Sequence, residues 1–173
     1  AVYRSEDTSV TSPVGLTLNG EKLTTTADRS GYVRLHRMWR AGDRVVLSLP
    51  MPVRRIRADE RAERLRGRVA VARGPVLYCL EGVDQPGIAL HHVQLPPSST
   101  FTSEWRGDLF GGITLLRAEG RTPDGRSVPL TFIPYYAWAN RGVHELAVWL
   151  VEDPARAAEV VIPGAPARHN TQG

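Results

Sequence analysis

Apolar and polar residues alternate with a period of two through most of the chain, and sustained 3.6-residue patterns are scarce. Over 32–39, Val33, Leu35 and Trp39 share one face and Arg34, His36 and Met38 the other, which predicts a strand. Ala41-Gly42-Asp43 supplies turn chemistry, and Val45, Leu47 and Leu49 predict the inward face of the next strand. Pro50 and Pro52 interrupt the alternation, as at a strand end or sheet edge, and Val53-Arg54-Arg55-Ile56-Arg57 resumes it. Residues 59–66 are the one helix-like piece, short and charged, with Gly67 as its stop. Strands over 69–72 and 76–81 follow, joined by a Gly74-Pro75 turn. The second is apolar on both faces and should lie centrally. Weaker strands are predicted over 90–95 and 113–118. After the turn Pro123-Asp124-Gly125-Arg126, core strands are predicted over 128–133 and 145–151, with a short one at 160–162.

Many short strands, frequent Gly and Pro, and almost no helix predict an all-β fold, an antiparallel β-sandwich. The pause at 50–52 reads as a seam. Residues 1–50 would form an incomplete first β module, 51–162 a complete C-terminal β-sandwich, and 163–173 a flexible tail. With few strands to close a core, the first module needs a partner segment.

Composition narrows the classes. The 173 residues are 42% hydrophobic and 23% charged, ordinary for a soluble globular chain. No apolar run approaches the roughly 18 residues of a membrane span, so no membrane partner is expected. The first residues hold neither a signal-peptide core nor an initiator Met, which reads as a processed or truncated end. The net charge of +4 is carried almost wholly by arginine; Lys22 is the only lysine. The arginines crowd between Arg29 and Arg73, a pattern that raises nucleic acid as a partner. Asp28, Asp43, Asp59, Glu60 and Glu63 are interspersed, many arginines alternate with apolar residues, and no groove-reading motif is present. That describes a wet sheet face, and no nucleic-acid partner is expected. A single cysteine, Cys79, excludes a disulfide within the chain and a zinc site of several thiolates. Set in Val76-Leu77-Tyr78-Cys79-Leu80, it reads as a buried structural thiol.

Candidate chemistry is sparse. Glu6-Asp7, Asp59-Glu60 and Glu152-Asp153 are adjacent acidic pairs, but neighbours on a strand point to opposite faces, so adjacency makes no hydrolytic dyad. His91-His92 has no Cys or carboxylate beside it at ligand spacing. No nucleophile elbow and no phosphate-cradling loop occur. Trp39 and Trp149 fall on apolar strands and read as core. Trp105, within the polar stretch 103–108, reads as an exposed loop residue able to stack on a sugar or another domain. The densest constellation is Tyr135, Tyr136, Trp138, Asn140 and Arg141. It suits a structural corner, a docking surface or a ligand contact, and the three stay open at this level.

Several segments together resemble the C-terminal region of glycoside hydrolase family 127, the β-L-arabinofuranosidase-like proteins. They are Gly31-Tyr32-Val33-Arg34-Leu35 with Trp39, Gly42-Asp43-Arg44-Val45, and Leu49-Pro50-Met51-Pro52-Val53-Arg54. Gly67-Arg68-Val69-Ala70, Arg73-Gly74-Pro75 and Tyr78-Cys79-Leu80-Glu81 follow. Pro134-Tyr135-Tyr136-Ala137-Trp138-Ala139-Asn140-Arg141-Gly142 and Ala147-Val148-Trp149-Leu150 close the set. Each motif is weak alone, and the ordered set is specific. The resemblance implies two β modules that follow an (α/α)6 barrel. That barrel holds the family's cysteine nucleophile, its glutamate and a zinc bound largely by cysteines, all upstream of the region matched. Neither Cys79 nor Glu81 matches those positions. The expectation is therefore a non-catalytic accessory region, with no catalytic residue and no cofactor in this chain, and with zinc confined to the catalytic domain. Its expected partners are the parent chain's barrel, a homodimer mate, or a carbohydrate, with Trp105, Tyr135, Tyr136, Trp138, Asn140 and Arg141 as the candidates for ligand or domain contact.

Overall fold

The computed structural model describes residues 2–7 and 14–158. The strand read at 160–162 and the tail at 163–173 lie outside them, as do the side chains of Glu6 and Asp7. The described chain is nearly all β. Its strands are β1 (Tyr3–Asp7), β2 (Gly15–Leu18), β3 (Glu21–Lys22), β4 (Val45–Ser48), β5 (Val53–Ala58) and β6 (Arg68–Arg73). Then come β7 (Val76–Glu81), β8 (Thr102–Arg106), β9 (Ile113–Arg121), β10 (Ser127–Pro134), β11 (Leu146–Ala147) and β12 (Leu150–Val151). Helix is confined to 3-10 turns at Glu63–Leu65, Gly82–Asp84 and Tyr135–Ala137, so 59–66 is not the helix its charge pattern predicts. Gly67, at φ +67°, shows why: the chain turns there at once into β6.

The strands form two antiparallel sheets. The larger has the order β1-β5-β6-β7-β10-β9-β8, with β11 added to β7 and β12 to β6. β1, from the stretch read as the first module, pairs here with β5, Tyr3 opposite Ala58. β6 and β7 pair only near their turn, from Val71 opposite Tyr78 to Arg73 opposite Val76. Beyond that they diverge, and the C-terminal segment enters the gap. Leu146 and Ala147 pair with Glu81 and Leu80, and Leu150 and Val151 pair with Val69 and Arg68. The predicted 145–151 strand is thus broken at Val148-Trp149, where the chain steps from one strand to the other. Gln94 bridges Val151 and Arg121, so the path closes through β12, Gln94, β9, β10 and β7 back to β6.

Inside that closed path lies the main core, built on Val69, Leu80, Leu116, Leu130, Phe132 and Leu150. Phe101 meets Phe132 edge-on at 5.8 Å between ring centroids. Leu90, Val93 and Leu95 are fully buried here, although 90–95 forms turns rather than the predicted strand. A second cluster, Cys79, Ile113, Leu115, Ile133 and Ala137, fills the opposite face of the same strands. Adjacent residues on β7 and β10 therefore both point into apolar surroundings, as the doubly apolar pattern of 76–81 implies. Each large aliphatic side chain so buried contributes about 1.5–3 kcal/mol of transfer free energy.

The smaller sheet has the order β3-β2-β4. Asn19-Gly20 turns β2 into β3 with φ of 51° and 86°, the pair that a two-residue hairpin loop demands. Asn19 also donates to Asp43 at 2.8 Å and accepts from the Arg44 N–H at 2.8 Å, pinning the start of β4. Residues 32–39 form no strand, and Val33 and Trp39 are exposed rather than inward. β4 exists, but Val45, Leu47 and Leu49 are not buried; Leu47 is 57% exposed and Leu49 61%. The alternation is real, and no facing layer is present among the described residues to cover it.

Candidate functional site

The 135–141 constellation forms the corner where β10 ends. Pro134 closes the strand, Tyr135–Ala137 makes one 3-10 turn, and Ala137 drops into the second core cluster. Ala139 then takes the left-handed conformation, φ 63°, which is strained for a residue with a Cβ. A buried acid holds it there. Glu81, fully enclosed at the end of β7, accepts the Ala139 N–H at 3.1 Å with Oε1. Its Oε2 accepts from Arg141 Nη2 at 2.5 Å and Nε at 3.2 Å.

Asp84, on the turn after β7, receives Arg141 Nη1 at 2.8 Å and Nη2 at 2.5 Å. Arg141 therefore sits between two carboxylates, and its pKa is raised, first by the Asp84 hydrogen bonds and then by those of Glu81. Its guanidinium also lies 5.7 Å from the Phe110 ring centroid. Phe110 too is left-handed, φ 51°, so two strained turns meet at this cation. Asn140 Nδ2 donates back to the carbonyls of Ala137 at 3.0 Å and Trp138 at 3.3 Å. The polar members of the constellation are thus committed to holding the corner's own shape.

The rings face outward. Tyr135 and Trp138 stack at 6.0 Å with planes 20° apart, 42% and 38% exposed. Tyr136 is also exposed. Trp105 lies in β8 opposite Thr114 and not in a polar loop; it is 67% exposed. Its ring rests on Gly112, where an added Cβ would come within 2.6 Å of the indole, so glycine makes that contact possible. The structure brings Tyr135, Trp138, Asn140 and Arg141 together, and through Phe110 joins them to the turn that follows Trp105.

The described acidic pairs, Asp59-Glu60 and Glu152-Asp153, supply no dyad. Asp59 is bound by Arg61 at 2.8 Å, and that hydrogen bond holds its carboxyl at about 2. Glu60 receives Arg156 at 2.7 Å. Glu152 is gripped by Arg55 at 2.9 Å and by Arg57 at 2.5 Å and 2.8 Å, and Asp153 caps the Ala155 N–H at 3.1 Å. Burial, then the Glu81 and Asp84 carboxylates, push the Cys79 thiol up to about 12, far from a nucleophile's range. No three His, Cys, Asp or Glu side chains converge on a metal position among the described residues. The zinc that the resemblance implies therefore has no ligand set in them.

Sequence reasoning missed Glu81, Asp84 and Phe110, although a carboxylate ending an apolar strand is itself a signal, because buried charge needs a partner. It also missed that Arg55 and Arg68 are buried.

A closed antiparallel β unit beside a small, uncovered sheet, with a rigid aromatic corner and no assembled acid pair, defines a β module of a larger class of architecture. Comparison with known proteins gives the family. The model of the glycoside hydrolase family 127 C-terminal domain matches residues 53–151, and that of the beta-L-arabinofuranosidase GH127 middle domain matches residues 9–51. The chain belongs to glycoside hydrolase family 127. The non-reducing end beta-L-arabinofuranosidase of Bifidobacterium longum subsp. longum is 33% identical over 156 residues, covering 78% of this chain and 23% of that protein. A solved GH127 beta-arabinofuranosidase superposes with a TM-score of 0.77 at 30% identity, over 91% of this chain and 26% of its own. A GH127 beta-L-arabinofuranosidase from Geobacillus stearothermophilus T6 gives 0.69 at 36%, over 82% and 25%. The chain spans about a quarter of the length of the relatives it matches.

Proposed function

We propose that this chain is the non-catalytic β region of a β-L-arabinofuranosidase-like hydrolase, and that it supports the (α/α)6 barrel by docking against it. The observation that carries this reading is the uneven burial of apolar surface. Neither core cluster draws on residues 14–52, while Trp39, Val45, Leu47 and Leu49 lie exposed on or beside one small sheet. Several large apolar side chains left exposed along one short sheet are what a docking surface requires. The engaged acids and the inert Cys79 support placing the chemistry, and its zinc, in the barrel.

The carbohydrate-binding alternative draws on the exposed Trp105, Tyr136 and the Tyr135–Trp138 stack. Against it stands the commitment of Asn140 and Arg141 to internal partners.

Assays of the 173-residue chain and of the native polypeptide on a β-L-arabinofuranoside test the reading, together with the intact mass in native cells. No turnover by the chain, and turnover by a native species far heavier than 19.1 kDa, is the expected result. Turnover by the chain alone overturns it. Glycan binding lost in Trp138→Ala with the fold retained would favour the alternative.

A further inference from the structure

A cavity of about 360 Å³ opens between β5, the 60–67 turn and the 152–156 turn. That size falls within the roughly 300–1,000 Å³ of small-molecule sites. Its wall is mixed: Leu65, Pro97 and Pro154 are apolar, and the rest is mostly charged.

Arg68 is the unusual member. It is 5% exposed, and among the described residues its guanidinium meets only backbone: Nη1 donates to the Trp149 carbonyl at 3.3 Å and Nη2 to the Ala158 carbonyl at 3.0 Å. Nε has no acceptor among the described residues. Burial lowers its pKa, and no carboxylate among them offsets that. A buried cation without a counter-ion is costly, and it is normally paired or ligated.

The carboxylates of the wall are already engaged. Glu152 serves Arg55 and Arg57, Glu60 serves Arg156, and Asp153 caps its own turn. Arg66 pairs with Glu60 at 3.8 Å and with Glu63 at 3.5 Å, which leaves Arg68 as the cation of the wall with no carboxylate partner among the described residues. Arg66 and Arg156 reach the rim with side chains 42% and 55% exposed.

We propose that this cavity is an anion site for a small molecule bearing one carboxylate, about the size of a single sugar ring, with Arg68 at its floor and Arg66 and Arg156 at its mouth. A planar carboxylate suits the guanidinium fork, and a single charge suits a wall that still contains three acids. A phosphate dianion would meet those acids at close range. This assignment stands independently of the hydrolase reading, since it rests on residues of the nine-stranded sheet and the turns beside it.

Calorimetric titration of the full chain tests it, with glucuronate as the probe, glucose as the neutral match and inorganic phosphate as the competing anion. Saturable glucuronate binding, at least about tenfold tighter than glucose or phosphate, is expected. Arg66→Gln and Arg156→Gln, both at exposed side chains, should each weaken it several-fold with an unchanged melting temperature. Arg68→Met should abolish it; because that variant could also fail to fold, the rim pair decides. Equal affinity for glucose and glucuronate, tighter phosphate binding, or no effect of the rim variants overturns the proposal. Glu159 is the first carboxylate after Ala158 in the sequence. Binding that emerges only in Glu159→Gln would make the chain itself the source of the counter-ion and would also overturn it.

Discussion

The two sheets obey the same local rules and end with opposite burial. β2, β3 and β4 have alternation, an Asn-Gly hairpin and side-chain pinning by Asn19 and Asp43, yet only Leu18 among their residues is buried. β6, β7, β9 and β10 have no better local signals, yet their apolar residues are almost wholly enclosed. Hairpin chemistry and backbone pairing make a strand; a core requires a second layer. The nine-stranded sheet supplies its own by closing through Gln94 and the C-terminal segment, and the three-stranded sheet does not.

That contrast can be broken by mutation. Phe132→Ala should cost about 3–5 kcal/mol by urea unfolding, as for a large aromatic removed from a packed core. Leu47→Ala should stay within about 0.5 kcal/mol in the same assay. Equal losses at the two positions would mean that the small sheet is covered after all. Glu152→Gln probes the polar side of the large sheet. It strips a carboxylate from the buried Arg55 and should cost about 1.5–3 kcal/mol, the worth of hydrogen bonds to a charged group. Loss of less than 1 kcal/mol would remove that ion pair from the account of what holds β5 in place. Gly67→Ala should cost about 1–3 kcal/mol for its left-handed backbone, and more for the collision of the new Cβ with the Asp153 and Ala157 backbone at 2.6 Å.

Smaller effects sharpen the picture further. Cys79 should resist a thiol reagent at pH 8 in the folded chain and react only on unfolding, given its burial and its pKa near 12. Fast labelling would show that the second core cluster opens. The mildest expectation concerns Asp59. Its hydrogen bond to Arg61 holds the carboxyl at about 2, below its ordinary 3.8, so the unfolded chain takes up that proton first as pH falls. The stabilisation is whole above about pH 4 and is lost as pH falls through 2. Asp59→Asn should flatten that acid limb of the melting curve, with a slightly lower melting temperature at neutral pH and no difference below about pH 2.

Much of the large sheet was legible in the sequence. The 69–72 and 76–81 hairpin, the 128–133 strand and the central place of the 76–81 run all rest on local patterning, and local patterning survives folding. Residues 32–39 misled because alternation there has no layer to face. The buried turns at 90–95 and the stepped strand at 145–151 depend on partners far along the chain, which a pattern cannot contain. Arginine was the hardest to read. Arg54 and Arg55 are neighbours in one strand, and only the second is buried, because carbonyls at Leu95, Pro96 and Ser99 and the Glu152 carboxylate lie in wait for it. At the aromatic corner, the cluster itself was visible. That Arg141 turns inward was not, since Glu81 and Asp84 lie about 60 residues away.

The insertion of β11 and β12 between the diverging β6 and β7 also orders events in time. Half of the large sheet can zip together as the chain emerges, but β6 and β7 keep unpaired backbone edges until residues 146–151 arrive. Those contacts span some 65 to 83 positions in sequence and must form late, after long loop closures. Until then the nascent chain carries two apolar strands with open edges, the condition that favours pairing with the wrong partner. A ribosome stalled shortly before residue 146 would therefore release a species whose danger lies less in lost stability than in what its exposed edges recruit.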